Sequence, residues 1–323
     1  THGTDVCLPL LAGAVLNFSE TPETASADIR EIAPHFLLYP TRMWENLSRT
    51  AQVKILDAGW LARSVFNLFL RLGYRVFNIK NRGEKPGLFL RLLHRLGWWI
   101  VYRPVSDSLG LVRSKYCGSG GTAVGPELFR FFGALGINLK QGYGATEMPV
   151  ISFQNPKDIT AESVGEPIPG VEIRISEAGE ILMKGDGAFL GYYKDPEGTA
   201  LKKRDGWIYS GDAGYIDDTG RLIFIDRVAD LVELPSGKFS PQYIENRLKF
   251  SPYIKDCFAI GGGDRHYVTA IINIDYATVG NWAEKRRKPY TTFADLSQKP
   301  EVYDLIEREI RAVNALLPEA ARI

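Results

Sequence analysis

A seven-residue stretch in the middle of the chain carries side chains suited to phosphate and base binding: Gln141-Gly142-Tyr143-Gly144-Ala145-Thr146-Glu147. Its two glycines, Gly142 and Gly144, let the backbone approach a bulky ligand because neither has a Cβ. Tyr143 offers a flat face for stacking on a base, Thr146 a hydroxyl for a phosphate oxygen, and Glu147 an oxygen ligand of the kind that Mg²⁺ takes alongside phosphates. The alternative is a tight turn in which the aromatic side chain only packs.

A second glycine-rich stretch, Cys117-Gly118-Ser119-Gly120-Gly121-Thr122, precedes it. It follows the end of a predicted strand over 114–117 and leads to a helix with Pro126 in its first turn. This arrangement binds phosphates or bases in many proteins, but it is also an ordinary βα turn, and no Gly-Lys-Ser/Thr of the Walker type follows. One helix later, a predicted strand over 136–140 leads to the first stretch. In a parallel sheet both loops would leave the carboxyl ends of adjacent strands, where such folds bind ligands.

Length and composition indicate a soluble globular protein of more than one domain. The chain has 323 residues, of which 45% are hydrophobic and 24% charged. A net charge of +1 gives no reason to expect nucleic acid as a partner. The three widely spaced cysteines fit a reducing cytosol and neither a disulfide framework nor a zinc site. Without a signal peptide or an apolar run of about 18 residues, we expect a cytoplasmic protein.

Elements placed along the chain predict an α/β fold in several parts. Helix and strand patterns alternate over 1–163, as in a partial α/β subdomain with a parallel sheet. Short alternating strands over 164–225 predict a small antiparallel β-barrel-like unit. A charged break over 226–230 reads as a hinge linker, and 231–323 as a C-terminal α+β domain. Asp212 stands between two glycines, where its carboxylate accepts either two ligand hydroxyls or nearby backbone N–H groups.

Residues 60–103 form a basic insertion in the first subdomain. They contain nine basic residues and one acid, a local balance of +8: Arg63, Arg71, Arg75, Lys80, Arg82, Lys85, Arg91, Arg95 and Arg103 against Glu84. Two amphipathic helices are predicted, followed by Trp98-Trp99. Such helices lie at the surface of a membrane, here the inner face, or they present a solvated basic face while packing on the domain. The sequence leaves both open.

The ordered set of motifs resembles the adenylate-forming superfamily of acyl-CoA synthetases, luciferases and nonribosomal adenylation domains. The set comprises Ser119-Gly120-Gly121, Gly142 to Glu147, Val164-Gly165-Glu166-Pro167, Gly170, Gly179-Glu180-Ile181, Gly191-Tyr192-Tyr193, Tyr209-Ser210-Gly211-Asp212 and Asp226-Arg227. The strongest likeness is to bacterial long-chain fatty-acid–CoA ligases, through Asn17-Phe18-Ser19-Glu20, Arg42-Met43-Trp44-Glu45, the basic helices and the tail from Tyr253 to Ile323.

This resemblance implies activation of a long-chain fatty acid by ATP with Mg²⁺, followed by transfer to CoA. In that reading Tyr143 stacks on adenine, Thr146 contacts the α-phosphate and Glu147 holds Mg²⁺. Asp212 binds both ribose hydroxyls, and Arg227 reaches the ribose and the linker. The remaining nucleotide-binding positions are Gly118, Ser119, Gly120, Gly121, Thr122, Gly142 and Gly144. The residues assigned to the substrate and CoA channel are Trp44, Gly237 and Lys238.

The departures from the family pattern shape the alternatives. The phosphate loop of the family would precede Thr1, its C-terminal lysine would follow Ile323, and Ala229 takes the hinge position of a Lys or Asp. We therefore expect a fragment that forms no adenylate alone and whose exposed apolar sheet favours a homodimer. Two other functions stay open: an adenylate-forming enzyme with a carrier-protein acceptor, and a non-catalytic, membrane-associated module that binds a nucleotide or an acyl chain.

Overall fold

A computed structural model describes residues 8–21, 23–155, 160–234, 237–262 and 267–323. The first part of the chain is mostly helical around three strands. Its elements are α1 (Leu8–Ala12), α2 (Ala25–Ile32), β1 (Phe36–Pro40), α3 (Thr41–Asp57), α4 (Trp60–Asn81), α5 (Leu88–Gly97), a π-helical turn (Trp98–Tyr102), α6 (Arg103–Ser108), β2 (Tyr116–Gly120), α7 (Pro126–Ala134) and β3 (Leu139–Ala145).

The middle of the chain is mostly strands, and the last part mixes both. The middle elements are β4 (Met148–Phe153), β5 (Ser163–Pro167), β6 (Val171–Ile175), β7 (Glu180–Gly185), α8 (Pro196–Lys202), β8 (Lys203–Arg204), β9 (Trp207–Ile216) and β10 (Leu222–Arg227). A 3₁₀ turn (Val228–Asp230) leads to β11 (Val232–Leu234), β12 (Gly237–Phe239), α9 (Pro241–Leu248), β13 (Ile254–Ile260), β14 (Thr269–Ile274), α10 (Tyr276–Lys285), α11 (Phe293–Ser297), α12 (Pro300–Asn314) and a 3₁₀ turn (Glu319–Ala321).

Ten of the described strands form one mixed sheet, which confirms the predicted α/β fold. Its order is β1-β2-β3-β4-β5-β10-β9-β7-β6, with β8 paired to β9. Strands β1, β2 and β3 are parallel, whereas the others pair antiparallel. The antiparallel strands continue this sheet and stay open, since β6 ends the order, so the predicted barrel-like closure does not form. The cause is β3, which pairs with β2 on one side and with β4 on the other.

Three apolar clusters stabilise the described parts of the chain. The first packs α3, α4 and α7 on the parallel strands, with Trp44 and Phe132 fully buried. The second lies on the antiparallel strands and includes Ile181 and Met183. The third joins α9, α10 and α12 to β13 and β14. Because the second cluster also takes Tyr143 and residues of β4, it crosses the proposed boundary at 163/164, and the domain boundaries stay predictions.

Two strands begin or end at positions other than those predicted. The strand expected over 136–140 starts only at Leu139, because residues before it terminate α7. Gly136 has a φ of +81°, its N–H donates to Gly133 O, and that of Ile137 donates to Phe132 O. The glycine-rich residues 118–120 likewise lie inside β2 and not in a loop after it. Among the helices of the described residues, none has the length and apolarity needed to cross a bilayer.

Candidate functional site

The last residues of β2 lie beside the first residues of β3, so the two glycine-rich stretches adjoin on neighbouring parallel strands, as the sequence predicts. Gly118 pairs with Lys140 and Ser119 with Gln141 in the parallel register. The buried amide of Gln141 connects the adjoining segments, because it accepts from Val124 N (3.1 Å) and donates to Ser163 O (2.7 Å). Gln141 has no role in the sequence prediction, although it begins the first motif. Both glycine-rich stretches therefore lie on adjacent strands, held together by Gln141.

Helix α3 packs against the second glycine-rich stretch, Cys117 to Thr122. Thr41 Oγ1 lies 3.0 Å from Ser119 Oγ and donates to Thr122 O (2.7 Å). Trp44 Nε1 donates to Gly118 O (3.1 Å), and the Trp44 side chain is fully buried. In this position Trp44 holds β2 and presents no exposed surface, so its place in a substrate channel stays a prediction.

Different physical constraints favour glycine at Gly121 and at Gly142 and Gly144. A Cβ at Gly121 would meet no atom within 4 Å, but its φ of +95° lies in the left-handed region, which favours glycine. A Cβ at Gly142 would lie 2.4 Å from the Phe153 ring, and one at Gly144 2.0 Å from the carbonyl oxygen of Pro149. The hairpin between β3 and β4 therefore requires Gly142 and Gly144, whereas the sequence analysis attributed them to approach by a ligand.

Tyr143 and Asp212 meet in the interior at the junction of parallel and antiparallel strands. The Tyr143 hydroxyl donates to Asp212 Oδ2 at 2.6 Å, and both residues are buried. Asp212 Oδ1 accepts no hydrogen bond and faces the Arg227 guanidinium at 3.1 Å. Burial raises the pKa of Asp212 above its ordinary value, although the Tyr143 hydroxyl and nearby cations act to lower that pKa. The carboxylate thus has one oxygen that accepts no hydrogen bond, while Tyr143 is only 8% exposed.

Thr146 and Glu147 lie at the turn from β3 to β4. Thr146 is exposed, and Glu147 is half-buried and accepts a hydrogen bond from the Tyr192 hydroxyl. Partial burial raises the pKa of Glu147, but the Tyr192 hydrogen bond and the charges of Lys202 and Arg227 outweigh it, so the pKa lies below its ordinary value. Glu147 is therefore an ionised carboxylate at neutral pH.

Lys202, at the end of α8, is a site residue that the sequence analysis missed. Its ammonium donates to Tyr209 O and Ser210 O, both at 3.1 Å. Its charge acts to lower the pKa values of both Glu147 and Asp212. No motif marks this position, whereas Tyr192 lies in a quoted motif, Gly191-Tyr192-Tyr193, that carried no assigned role.

The remaining predicted residues lie where β10 leads into the last part of the chain. Arg227 ends β10 and lies, together with the turn Val228–Asp230 that follows, within the hinge linker predicted over 226–230. Gly237 begins β12, and Lys238 makes an exposed ion pair with Glu233 at 2.8 Å. Pro235 and Ser236, which precede Gly237, lie outside the described residues. The assignments of Gly237 and Lys238 to a channel stay predictions.

Taken together, these features define an α/β protein with a polar site at the switch from parallel to antiparallel strands. Two carboxylates, two cations and a tyrosine hydroxyl gather there: Glu147, Asp212, Lys202, Arg227 and Tyr143. Residues 1–193 match the family model described as AMP-binding enzyme. The chain belongs to the AMP-binding enzyme family.

The chain is similar in sequence to known proteins and in fold to solved structures. The chain is 27% identical over 308 residues to long-chain-fatty-acid–CoA ligase FadD15 of Mycobacterium bovis, with 92% of this chain and 50% of that protein covered. The fold resembles the adenylation domain of a carboxylate reductase from Mycobacterium chelonae (TM-score 0.67, 19% identity, covering 95% of this chain and 43% of that one). It also resembles the anthranilate CoA ligase AuaEII in complex with anthranoyl-AMP (TM-score 0.64, 17% identity, covering 99% of this chain and 52% of that one). The chain thus spans about half the length of the first of these relatives.

Proposed function

We propose that the complete protein activates a long-chain fatty acid with ATP to an acyl-adenylate and transfers the acyl group to CoA. The observation that carries this proposal is the buried Asp212 carboxylate, whose Oδ1 accepts no hydrogen bond while Oδ2 is held by Tyr143. Among the described residues, Oδ1 is contacted only by the Arg227 guanidinium, without a hydrogen bond, and a buried acceptor oxygen is more favourable when a donor completes it. A ribose hydroxyl is such a ligand, and the relative named above supports the fatty acid and CoA as substrates.

The proposed reaction has two steps. A carboxylate oxygen of the fatty acid attacks the α-phosphorus of ATP, and the bond to the leaving pyrophosphate breaks. The CoA thiol then attacks the acyl carbonyl carbon, and a thioester bond forms while the bond to AMP breaks. The thiol proton passes to solvent, and AMP leaves. Catalysis of the first step consists largely of positioning the groups and neutralising charge.

Each site residue has a task in that reaction. Lys202 and Arg227 supply positive charge near the phosphates and Thr146 a hydroxyl, while Asp212 takes the ribose. Tyr143 provides the face for adenine. Because its hydroxyl occupies Asp212 Oδ2 in the free protein, a ribose that binds both carboxylate oxygens replaces that hydrogen bond.

Glu147 fits the magnesium ion that the proposal includes. Mg²⁺ is held by one or two carboxylates together with substrate phosphates, and it neutralises phosphate charge when bound. Glu147 is ionised at neutral pH because its pKa is lowered, and the Tyr192 hydrogen bond holds one of its oxygens. The protein's own contribution is therefore a single oriented carboxylate.

The experiment is ATP–pyrophosphate exchange by the complete protein with acetate, octanoate, palmitate, benzoate and amino acids. We expect exchange to be fastest with palmitate, and AMP release to require CoA. If exchange occurs with palmitate but AMP is released only with a carrier protein, the acceptor is the carrier protein and not CoA. A folded protein that binds ATP and shows no exchange with any acid would refute the proposed reaction.

A further inference from the structure

Helix α5 turns its apolar face outward. Phe89, Leu92 and Leu96 recur at the spacing of one helix face, and they are 74%, 58% and 49% exposed. Trp99, in the following turn, is 61% exposed. An amphipathic helix normally places this face against the protein core. A contiguous exposed apolar face indicates a surface that binds a partner.

Exposed positive charge lies beside this face. Arg91 and Arg95 are exposed one turn apart on α5, beside the apolar residues. None of the nine basic residues within 60–103 makes an ion pair with a carboxylate of the described residues. The Arg103 guanidinium lies 4.9 Å from the centre of the Trp99 ring, so an aromatic side chain and a cation lie together at the end of the face.

A basic cavity opens between the end of α4 and α5. Its volume is about 450 Å³, and it is lined by Val76, Lys80, Lys85, Pro86, Arg91 and His94. Burial and then the charge of Lys80 lower the pKa of His94, so the positive charge of the cavity comes from the lysines and Arg91. Three cations in a cavity beside an apolar face provide a place for a phosphate group that is attached to acyl chains.

We propose that residues 60–103 dock on an anionic lipid surface. Phe89, Leu92, Leu96 and Trp99 enter the interface, while Lys80, Lys85 and Arg91 receive lipid phosphates. Charge complementarity favours lipid over a protein partner, because a region of +8 with a single acid matches a surface of uniformly negative headgroups. Tryptophan together with apolar residues and arginines is typical of helices that lie in such an interface. No residue of the Asp212 site takes part, so this proposal is independent of the proposed function.

The test is co-sedimentation of the complete protein with vesicles of phosphatidylcholine alone and with vesicles that also contain phosphatidylglycerol. We expect binding to the anionic vesicles, weakened by salt because exposed charges are screened. Each cation near such a surface is worth about 1 kcal/mol, so Arg91→Gln/Arg95→Gln should bind about 30-fold more weakly. In Phe89→Ser/Leu92→Ser the affinity for anionic vesicles should fall at least about tenfold, because the apolar contact with the interface is lost.

Matched variants on other surfaces distinguish binding by the α5 face from non-specific binding by exposed charged or apolar residues. Arg308→Gln/Arg311→Gln removes two exposed arginines from α12, and Phe258→Ser/Ile271→Ser removes an exposed Phe and an exposed Ile paired across β13 and β14. Both should bind vesicles like the parent protein.

Four outcomes would overturn the proposal. Equal vesicle binding by all four variants would show that the α5 face is not used. Self-association that Phe89→Ser/Leu92→Ser abolishes, without vesicle binding, would assign the face to a second copy of the chain. Loss of thermal stability in that variant, without vesicle binding by the parent, would show that another segment of the protein covers the face. Inorganic phosphate bound without any vesicle binding would likewise make the cavity a site for a free anion.

Discussion

Replacing Asp212 with asparagine tests the site most directly, because it removes a buried charge and keeps the shape of the side chain. In the parent protein Oδ2 accepts from the Tyr143 hydroxyl at 2.6 Å, while Oδ1 faces Arg227 at 3.1 Å and accepts no hydrogen bond. An asparagine has one acceptor oxygen, which the Tyr143 hydroxyl retains. Its NH₂ group then faces the guanidinium, and two donors cannot bond to each other.

The size of the effect on nucleotide binding follows from the lost acceptor. A hydrogen bond to a charged group is worth about 1.5–3 kcal/mol, so the affinity for AMP should fall about 10- to 150-fold in Asp212→Asn. Isothermal titration calorimetry with AMP measures this change. Asp186→Asn removes the same charge from an exposed turn and should bind AMP like the parent protein.

Stability should change in the opposite direction. Because burial raises the pKa of Asp212 above the ordinary value of 3.8, the folded state disfavours its charged form. The contribution of Asp212 to stability is then fully present below the ordinary pKa and is lost as pH rises through the raised one. At neutral pH Asp212→Asn should therefore be at least as stable as the parent protein, and its advantage should grow from acidic to neutral pH.

Urea unfolding at acidic and neutral pH completes the assay. An AMP affinity within about twofold of the parent value would refute the assignment of Asp212 to the ribose, since even a weak charged hydrogen bond exceeds that change. A variant that loses both affinity and stability at neutral pH would show that the carboxylate supports the fold.

Two further variants test contacts that the structure makes specific. Arg247 and Glu127 form an ion pair whose side chains are 8% and 16% exposed. Because Glu127→Ala leaves a buried cation without its partner, it should lower the free energy of unfolding by about 3 kcal/mol. A loss below about 1 kcal/mol, the range measured for exposed pairs, would contradict this prediction. Gly144→Ala places a Cβ 2.0 Å from a carbonyl oxygen and should cost about 1–3 kcal/mol in thermal or urea unfolding. Gly187→Ala, where a Cβ meets no atom within 4 Å, is the control, and equal stability of these two alanine variants would refute the steric argument.

Much of the fold was predictable because local patterns report local structure. Alternating helix and strand patterns predicted the α/β architecture, and the two helices predicted within residues 60–103 are present as α4 and α5. The prediction of a barrel-like unit was wrong because strand patterns give the number of strands and not their closure. Pairing of β5 with both β4 and β10 joins the two groups of strands into one open sheet.

The candidate site divides in the same way. Glycine, tyrosine, threonine and carboxylate positions were found from residue types, and the adjacency of β2 and β3 followed from the parallel order. Lys202 was missed because a lysine at the end of a short helix has no recognisable sequence pattern. Its role depends on the contact with Ser210 O, which only the folded chain provides. The reason for Gly144 was also hidden, since it depends on the backbone at Pro149.

The sequence by itself determined the order of motifs, the α/β class and the charge of residues 60–103, because each depends on residue identity and short-range spacing. The tertiary structure alone decided that Tyr143 bonds to Asp212, 69 residues away, and that Lys202 and Arg227 face two carboxylates. It also decided that α5 turns Phe89 and Leu92 outward. Periodicity shows which side chains share a face, whereas the direction of that face depends on contacts with distant segments of the chain.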